Sequence, residues 1–255
     1  MNFKSKIVLA LLATSSAAFA QTAPAAETPE VTYNVGVVSQ YRYRGIAQTK
    51  GDPALQGGVD YANANGFYLG AWGSTIKWIK DVAPANSTEA KGPVELDLYG
   101  GYKFEAAGLA YDVGYLRYEY VGNTLKDAGY VNANTDEVYG AVTAGPATLK
   151  YSYAFSDLFG NPNSKGSTYL DLSATFDLGN GYSLVPHVGR QMVKNLPGIS
   201  YNDIALTLNK DLGDGLSASV AAIATNGNST NFKSSYTSGY DVSKSTLVVG
   251  VKYSF

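Results

Sequence analysis

The sequence of 255 residues contains no cysteine and only one histidine, His187. The absence of cysteine excludes disulfides and thiolate metal ligands, and one histidine is too few for a zinc site, so no cofactor is expected. Lysine and arginine number 19 against 21 aspartates and glutamates. This balance leaves no basic surplus for binding nucleic acid. The sequence also lacks an apolar run of the roughly 20 residues that a membrane-spanning helix needs.

Residues 1–20 are typical of a secretory signal peptide. Lys4 and Lys6 form a positive region, residues 7–13 are apolar, and Ala18-Phe19-Ala20 places small residues around a cleavage site. Residues 21–31 are rich in proline and alanine and are expected to form a short linker. Residues 32–255 are therefore predicted to form one exported domain.

Alternation of apolar and polar residues recurs about twelve times after residue 32, and no window shows a sustained helical period. In residues 33–44 the odd positions are mostly apolar, whereas the even positions end in Arg42 and Arg44. A strand of about a dozen residues exceeds the roughly 5–6 of soluble sheets and suits the roughly 9–11 that cross a membrane. The predicted fold class is therefore all-β: a transmembrane antiparallel up-and-down β-barrel of about 12 strands.

The links between the predicted strands sort by length. The tight turns, rich in glycine and asparagine, are 63–66, 106–108, 145–146, 179–181 and 213–215. The links that alternate with them are long: 45–53, 76–93, 121–135, 156–166, 192–200 and 226–241. Short periplasmic turns and long extracellular loops are typical of bacterial outer-membrane barrels. The expected location is the outer membrane, with its lipids and lipopolysaccharide as partners.

The last ten residues alternate up to a terminal aromatic residue, Phe255. This C-terminal strand is similar to that of outer-membrane proteins as a class, which implies that the barrel-insertion machinery recognises Phe255. Closure also requires the last strand to pair with the first, because an open edge in lipid leaves backbone groups without hydrogen bonds.

Several segments carry a family resemblance. Residues 39–61 read SQYRYRGIAQTKGDPALQGGVDY and residues 66–74 read GFYLGAWGS. With VELDLYGGYK and the terminal VKYSF, they make the chain resemble the TorF family of proteobacterial porin-type proteins over essentially the whole mature length. The resemblance implies an outer-membrane pore, and it implies no particular solute and no catalytic residue.

The polar face of each strand would point into the lumen, so the expected function is a porin-like channel for passive diffusion of small hydrophilic solutes or ions. Strand parity predicts these pore-lining residues: Arg42, Arg44, Asp60, Glu95, Asp97, Glu137, Asp171 and Asp203. The two arginines are placed at the outer end of the first strand and face acids on the other walls. Acids exceed bases in this set, which favours a weak cation preference. The alternative is that these charges pair across the lumen and close it.

The arginines and tyrosines have further interpretations. Arg42 and Arg44 could bind the carboxylate or phosphate of an acidic sugar or organic acid. Alternatively, they pair with Asp52 or Asp60 to fix the first loop, or contact lipopolysaccharide phosphates. The tyrosines expected at the membrane interface are Tyr33, Tyr41, Tyr43, Tyr61, Tyr102, Tyr182 and Tyr253. Trp72 and Tyr68 have inward parity, as packing residues or as a surface for sugars.

Two other classes of function stay open. A lipid hydrolase would need a nucleophile and a base together on the lipid-facing wall. His187 has lumen parity and the sequence places no serine beside it, so a non-enzymatic protein is expected. A non-conducting structural or adhesin barrel, acting through the links 76–93 or 226–241, is the other alternative. The sequence leaves monomer and trimer equally open.

Overall fold

The computed structural model describes residues 29–82, 84, 86–234, 236–237 and 239–255. The predicted signal peptide and residues 21–28 of the predicted linker lie outside the described residues. Strand structure begins at Glu30, two residues before the predicted start of the barrel.

Twelve strands form one closed antiparallel barrel, which confirms the predicted fold class. In chain order they are β1 Glu30–Val38, β2 Ala54–Ala62, β3 Phe67–Thr75, β4 Val94–Ala106, β5 Leu109–Val121, β6 Thr135–Ala144, β7 Ala147–Ala154, β8 in two pieces (Thr168–Ala174 and Phe176–Gly179), β9 Tyr182–Met192, β10 Tyr201–Gly213, β11 Leu216–Thr225 and β12 Thr246–Ser254. Each strand pairs with its neighbours in sequence, and both pieces of β8 pair with β9.

The barrel closes between its first and last strands. β1 pairs antiparallel with β12, with Val35 opposite Tyr253. The backbones of Tyr33 and Phe255 exchange two hydrogen bonds, of 2.8 and 2.9 Å, and their rings stack with 5.7 Å between centroids. Phe255 therefore helps to close the seam between the two strands, where lipid could not form hydrogen bonds with the backbone groups.

The two faces of the wall differ. In β1, Val31, Val35 and Val37 are 44–51% exposed, whereas Val38 is 5% exposed. Outward positions on the other strands are also large and apolar, so the outer surface forms a belt suited to hydrocarbon. At one rim this belt ends in neighbouring aromatic rings, among them Phe67, Tyr102, Phe104 and Tyr111. Tyr33, Tyr182 and Tyr253 are 42–47% exposed, as expected for interface residues.

Short turns connect the strands at one end of the barrel, called the short-turn rim, and long loops connect them at the other end, called the long-loop rim, as predicted. The five short turns join β2 to β3, β4 to β5, β6 to β7, β8 to β9 and β10 to β11. Asn180 and Asp214 have φ values of 53° and 51°, which two-residue hairpin turns require. The long-loop rim carries two short helices, α1 Trp78–Asp81 and α2 Ser229–Ser234. Among the described residues, no helix has the length and apolar character needed to span a bilayer.

The first strand is shorter than its alternation predicts. β1 ends at Val38, and the chain then bends and forms a small hairpin in which Arg42–Tyr43 pairs with Ile46–Ala47. Tyr41 and Tyr43 are 1% and 6% exposed, so the prediction that they lie at the membrane interface is wrong. The placement of Arg42 and Arg44 on the first strand is wrong for the same reason. The alternating pattern continues past the end of the strand, where parity no longer corresponds to the two faces of the wall.

Candidate functional site

The first long link, residues 39–53, folds into the barrel and is called the lumen loop below. Tyr41 donates a hydrogen bond of 2.7 Å from its hydroxyl to Oε1 of Glu95, on β4. Gln40 donates one of 2.7 Å from Nε2 to Oγ1 of Thr246, on β12. The lumen loop is therefore fixed to separate parts of the wall, and it narrows the half of the lumen nearest the long-loop rim.

Arg44 is the most extensively bound residue of the lumen loop, and its side chain is 2% exposed. Its guanidinium contacts both oxygens of Glu137 on β6, at 3.0 and 2.7 Å, and donates to Oε1 of Gln191 on β9 at 2.9 Å. It also lies over the rings of Tyr43 and Tyr169, 4.9 and 4.2 Å from their centroids. A buried charge is tolerated when it is paired in this way. At this residue the structure shows charge pairing across the lumen, which is the alternative to an open, pore-lining role.

Arg42 is also buried, but it binds neutral acceptors. Nε donates to Oε1 of Gln40 at 2.9 Å, and Nη1 donates to the carbonyls of Gly45 and Val242 at 3.1 and 2.9 Å. Because Val242 belongs to the last long loop, Arg42 joins that loop to the lumen loop. The hydrogen bonds of its side chain therefore stabilise the packing of these two loops against each other.

The last long loop is itself held by Asp241. This carboxylate accepts hydrogen bonds from Oγ of Ser229 at 2.5 Å and from the backbone nitrogen and Oγ of Ser243 at 3.0 and 2.6 Å. Burial acts to raise the pKa of Asp241, but the hydrogen bonds outweigh it and hold the pKa below its ordinary value. The loop that receives Arg42 is therefore anchored by an ionised carboxylate.

The expected pairing of the arginines with Asp52 or Asp60 is not what the structure shows. Asp52 forms an exposed ion pair with Lys77. Asp60 accepts a hydrogen bond from the hydroxyl of Tyr99. The arginines still fix the first loop, as one interpretation proposed, but through other partners.

All six predicted pore-lining acids lie at inward positions. Four are at most 2% exposed and lie near the long-loop ends of their strands: Glu95, Asp97, Glu137 and Asp203. Asp60 lies nearer the short-turn rim and Asp171 lies midway along the lumen, both partly buried. The pore-lining role of these acids and of the two arginines stays a prediction.

His187 lies in the lumen, as its parity predicts, within a polar cluster. Its Nε2 is 2.5 Å from Oδ2 of Asp171 and its Nδ1 is 3.5 Å from Oδ1 of Asp203. The hydroxyl of Tyr169 lies 3.1 Å from Nε2 and from both oxygens of Asp203. Carboxylates on both sides bind the ring inside the barrel, away from the lipid-facing wall that a phospholipid hydrolase would use.

Two inward tyrosines lie flat against the wall. In the strand register, Tyr68 of β3, Gly101 of β4, Gly114 of β5 and Tyr139 of β6 are successive partners. A Cβ atom on Gly101 or Gly114 would lie 2.4 or 2.5 Å from the hydroxyl of Tyr68 or Tyr139, so each ring covers a glycine. The two hydroxyls hydrogen-bond to each other above the glycines. This pair, Tyr68 and Tyr139, is called the tyrosine shelf below.

Four inward charged residues are missing from the set of pore-lining residues that the sequence predicts. Lys103, Asp112, Lys150 and Lys252 occupy inward positions on β4, β5, β7 and β12. The parity that selected the predicted acids also marks these residues, so the signal was present in the sequence. Among the described residues, no group of three or more histidine, cysteine, aspartate or glutamate side chains is arranged to hold a metal ion.

Solved structures with the same architecture define the class of fold. The chain is similar to a NanC porin (TM-score 0.54, 11% identity, covering 88% of this chain and 99% of the other). It is also similar to a KdgM porin (TM-score 0.52, 11% identity, 88% and 98%) and to a KdgM porin in complex with disordered oligogalacturonate (TM-score 0.54, 10% identity, 88% and 98%). The fold is therefore that of outer-membrane porins.

A family model matches residues 22–255, and its description is "Bacterial protein of unknown function (Gcw_chp)". The chain belongs to this Gcw_chp family. No curated protein matches it in sequence.

Proposed function

We propose that this barrel is a porin-like channel of the bacterial outer membrane, for passive diffusion of small hydrophilic solutes or ions. The observation that carries the proposal is the contrast between the two faces of one closed barrel. The outward face is apolar, whereas the inward face bears charged side chains on β2, β4, β5, β6, β7, β8, β10 and β12. Charged side chains would be costly against lipid, whereas on the inward face they suit a path for water and solutes.

The sequence features support the outer-membrane location. The predicted signal peptide would export the chain, and the short-turn rim would face the periplasm. Phe255, at the seam, would be read by the insertion machinery, and the apolar belt would contact outer-membrane lipids and lipopolysaccharide. The resemblance to the TorF family of porin-type proteins supports the same assignment.

The inward charges support a weak preference for cations. Apart from the exposed residues of the rims, and with His187 counted as neutral, the described lumen contains seven carboxylates, namely Asp60, Glu95, Asp97, Asp112, Glu137, Asp171 and Asp203, and five cations, namely Arg42, Arg44, Lys103, Lys150 and Lys252. The surplus of acids is only two, and Arg44 and Glu137, which belong to the two sets, offset each other directly. A weak preference is the expected consequence.

The test is reconstitution of the purified protein in a planar bilayer. Stepwise KCl currents, with a reversal potential in a salt gradient that favours potassium, are the expected result. Protein denatured by boiling before reconstitution is the control, since it retains any detergent contamination but loses the barrel. A folded barrel that inserts and carries no current would overturn the proposal.

A second candidate, a non-conducting structural barrel, is favoured by the lumen loop. Arg44 and Gln40 connect this loop to β6, β9 and β12, and their contacts reduce the space for solutes. The bilayer measurement separates the two candidates, because a barrel closed by the lumen loop is silent. Neither candidate requires catalysis, and we propose that His187 lines the lumen rather than acting on a substrate.

A further inference from the structure

Two lysines lie on the tyrosine shelf. Nζ of Lys103 is 5.0 Å from the ring centroid of Tyr68, and Nζ of Lys150 is 3.9 Å from that of Tyr139. A ring face attracts an ammonium group through its quadrupole, and the attraction grows where water is partly excluded. Each lysine is therefore held against one ring of the shelf, with its charge toward the lumen.

Neither lysine has a carboxylate partner at ion-pair distance. Among the described residues, the ion pairs within 4.0 Å belong to Arg44, Lys77 and Arg117, and the remaining carboxylate contacts within that distance belong to the imidazole of His187. Lys150 is nevertheless buried, at 7% exposure. An ammonium group that has lost much of its water and has no carboxylate in direct contact is costly to bury, and an incoming anion recovers part of that cost.

Asp112 lies between the two lysines but does not neutralise both. It is the direct cross-strand partner of Lys103, and both ammonium groups act on its carboxylate electrostatically. Its Oδ1 accepts a hydrogen bond of 2.6 Å from the hydroxyl of Tyr68, while its buried Oδ2 has no hydrogen-bond partner among the described residues. Asp60 also acts electrostatically on Lys103, and Asp171, the direct cross-strand partner of Lys150, acts on that lysine, but neither carboxylate is within 4.0 Å of the ammonium group.

We propose that Lys103 and Lys150 on the tyrosine shelf form a binding subsite for an oxyanion, the carboxylate or phosphate group of a solute. The proposal deepens the proposed channel function and rests on it for its biological meaning. The arginines are less suited to this role, because Arg44 already binds Glu137 and Gln191. Arg42 already donates hydrogen bonds to Gln40 and to the carbonyls of Gly45 and Val242. Lys103 and Lys150 are inward cations that form no ion pair within 4.0 Å among the described residues.

The experiment measures binding by calorimetry, with protein purified from outer membranes into detergent. The probes are glucuronate for the carboxylate, glucose 6-phosphate for the phosphate, and glucose as the uncharged control. Both anions are expected to bind saturably and glucose is not. The double variant Lys103→Gln/Lys150→Gln is expected to weaken anion binding at least tenfold. If only one of the two anions binds, its group identifies the ligand class.

A matched control is Lys210→Gln. Lys210 also lies over a tyrosine, with Nζ 4.2 Å from the ring centroid of Tyr182, but on the outward side of the short-turn rim. This variant loses the same kind of contact outside the lumen and is expected to bind the anions like the unaltered protein. Circular dichroism of every variant verifies that the barrel is folded.

A gain of affinity gives a second, independent readout. Asp112→Asn removes the carboxylate that competes for the two ammonium groups, while its amide oxygen can still accept the hydrogen bond from Tyr68. Anion affinity is expected to rise several-fold, which a merely structural role of these residues does not produce. Unchanged affinity in both the double lysine variant and Asp112→Asn would overturn the subsite.

The subsite and the channel can fail separately. Calorimetry in detergent needs no current, whereas the KCl current in a bilayer needs no anion binding. Current without anion binding would overturn the subsite and leave the channel intact. Anion binding without current would support the subsite and overturn the channel.

Discussion

Glycines of the lumen wall determine where the tyrosine rings lie. Gly70 is clearest, because a Cβ atom there would lie 2.6 Å from three ring and hydroxyl atoms of Tyr99. The missing side chain allows this ring to lie along the wall and to donate its hydroxyl hydrogen bond to Asp60. Gly189 has the same relation to Tyr169. These glycines therefore provide the space in which the tyrosine rings pack against the wall. Because the rings lie along the wall, they do not occupy the centre of the lumen.

Gly70→Ala is expected to force the ring of Tyr99 away from the wall and into the lumen. Overpacking of this kind costs about 1–3 kcal/mol. We expect a folded barrel with a lower single-channel conductance, measured in planar bilayers. In the double variant Gly70→Ala/Tyr99→Ala the clash is gone, and conductance should recover. Gly140→Ala is the control, since a Cβ atom at Gly140 meets nothing within 4 Å. Equal conductance in all variants would contradict this account.

At the scale of an element, the lumen loop depends on a few long-range contacts. Its hairpin has only two paired residues in each arm, which is too little to be stable by itself. The Arg44 to Glu137 pair, the Tyr41 to Glu95 hydrogen bond and the packing of Tyr41 against Trp72, with 5.5 Å between ring centroids, hold it inside the barrel. Because these contacts are buried, loss of one partner leaves the other uncompensated.

Arg44→Met is expected to destabilise the folded protein by about 3–5 kcal/mol, because Glu137 is left charged and buried. The double variant Arg44→Met/Glu137→Gln removes both charges and should recover much of that loss. Unfolding in denaturant, followed by tryptophan fluorescence, measures both effects, since Trp72 packs on the lumen loop. Additive effects of the two substitutions would show that the pair does not hold the loop.

At the scale of the whole molecule, charge is distributed unevenly along the barrel axis. The long-loop half of the lumen holds four carboxylates, Glu95, Asp97, Glu137 and Asp203, and two guanidinium groups, Arg42 and Arg44. Inside its exposed rim, which carries Glu30, Glu105, Asp177 and Asp211, the short-turn half holds two acids, Asp60 and Asp112, and two lysines, Lys103 and Lys252. Asp171 and Lys150, which are direct cross-strand partners, lie between the two halves. Among the charges inside the exposed rims, the surplus of carboxylates therefore lies in the long-loop half, and the two directions of ion flow are not equivalent.

An asymmetric current–voltage curve is the expected consequence in a bilayer with uniformly oriented channels at about 0.1 M KCl. The asymmetry should vanish at about 1 M, because the screening length falls from about 10 Å to about 3 Å. Asp97→Asn should reduce it, whereas Lys210→Gln, outside the lumen, should not. Curves that are symmetric at low salt would show that the charged end does not control the current.

The sequence by itself determined the wall of the barrel. Alternation with a period of two is local, so Val35 and Val37 mark the outward face without knowledge of any distant residue. The short turns are also local, since Asn180 and Asp214 supply the backbone geometry of their hairpins. Inward acids such as Glu95 and Asp203 follow from the same parity.

Only the tertiary structure decided what occupies the lumen. The alternation of β1 continues through Tyr43, and no local signal shows that the chain turns inward after Val38. Arg44 meets Glu137 across 93 positions of sequence, and Tyr68 covers Gly101 because strand register places them together. Parity assigns a side chain to one face of a strand. Contacts across a closed barrel depend on register and loop conformation, which a single strand does not contain.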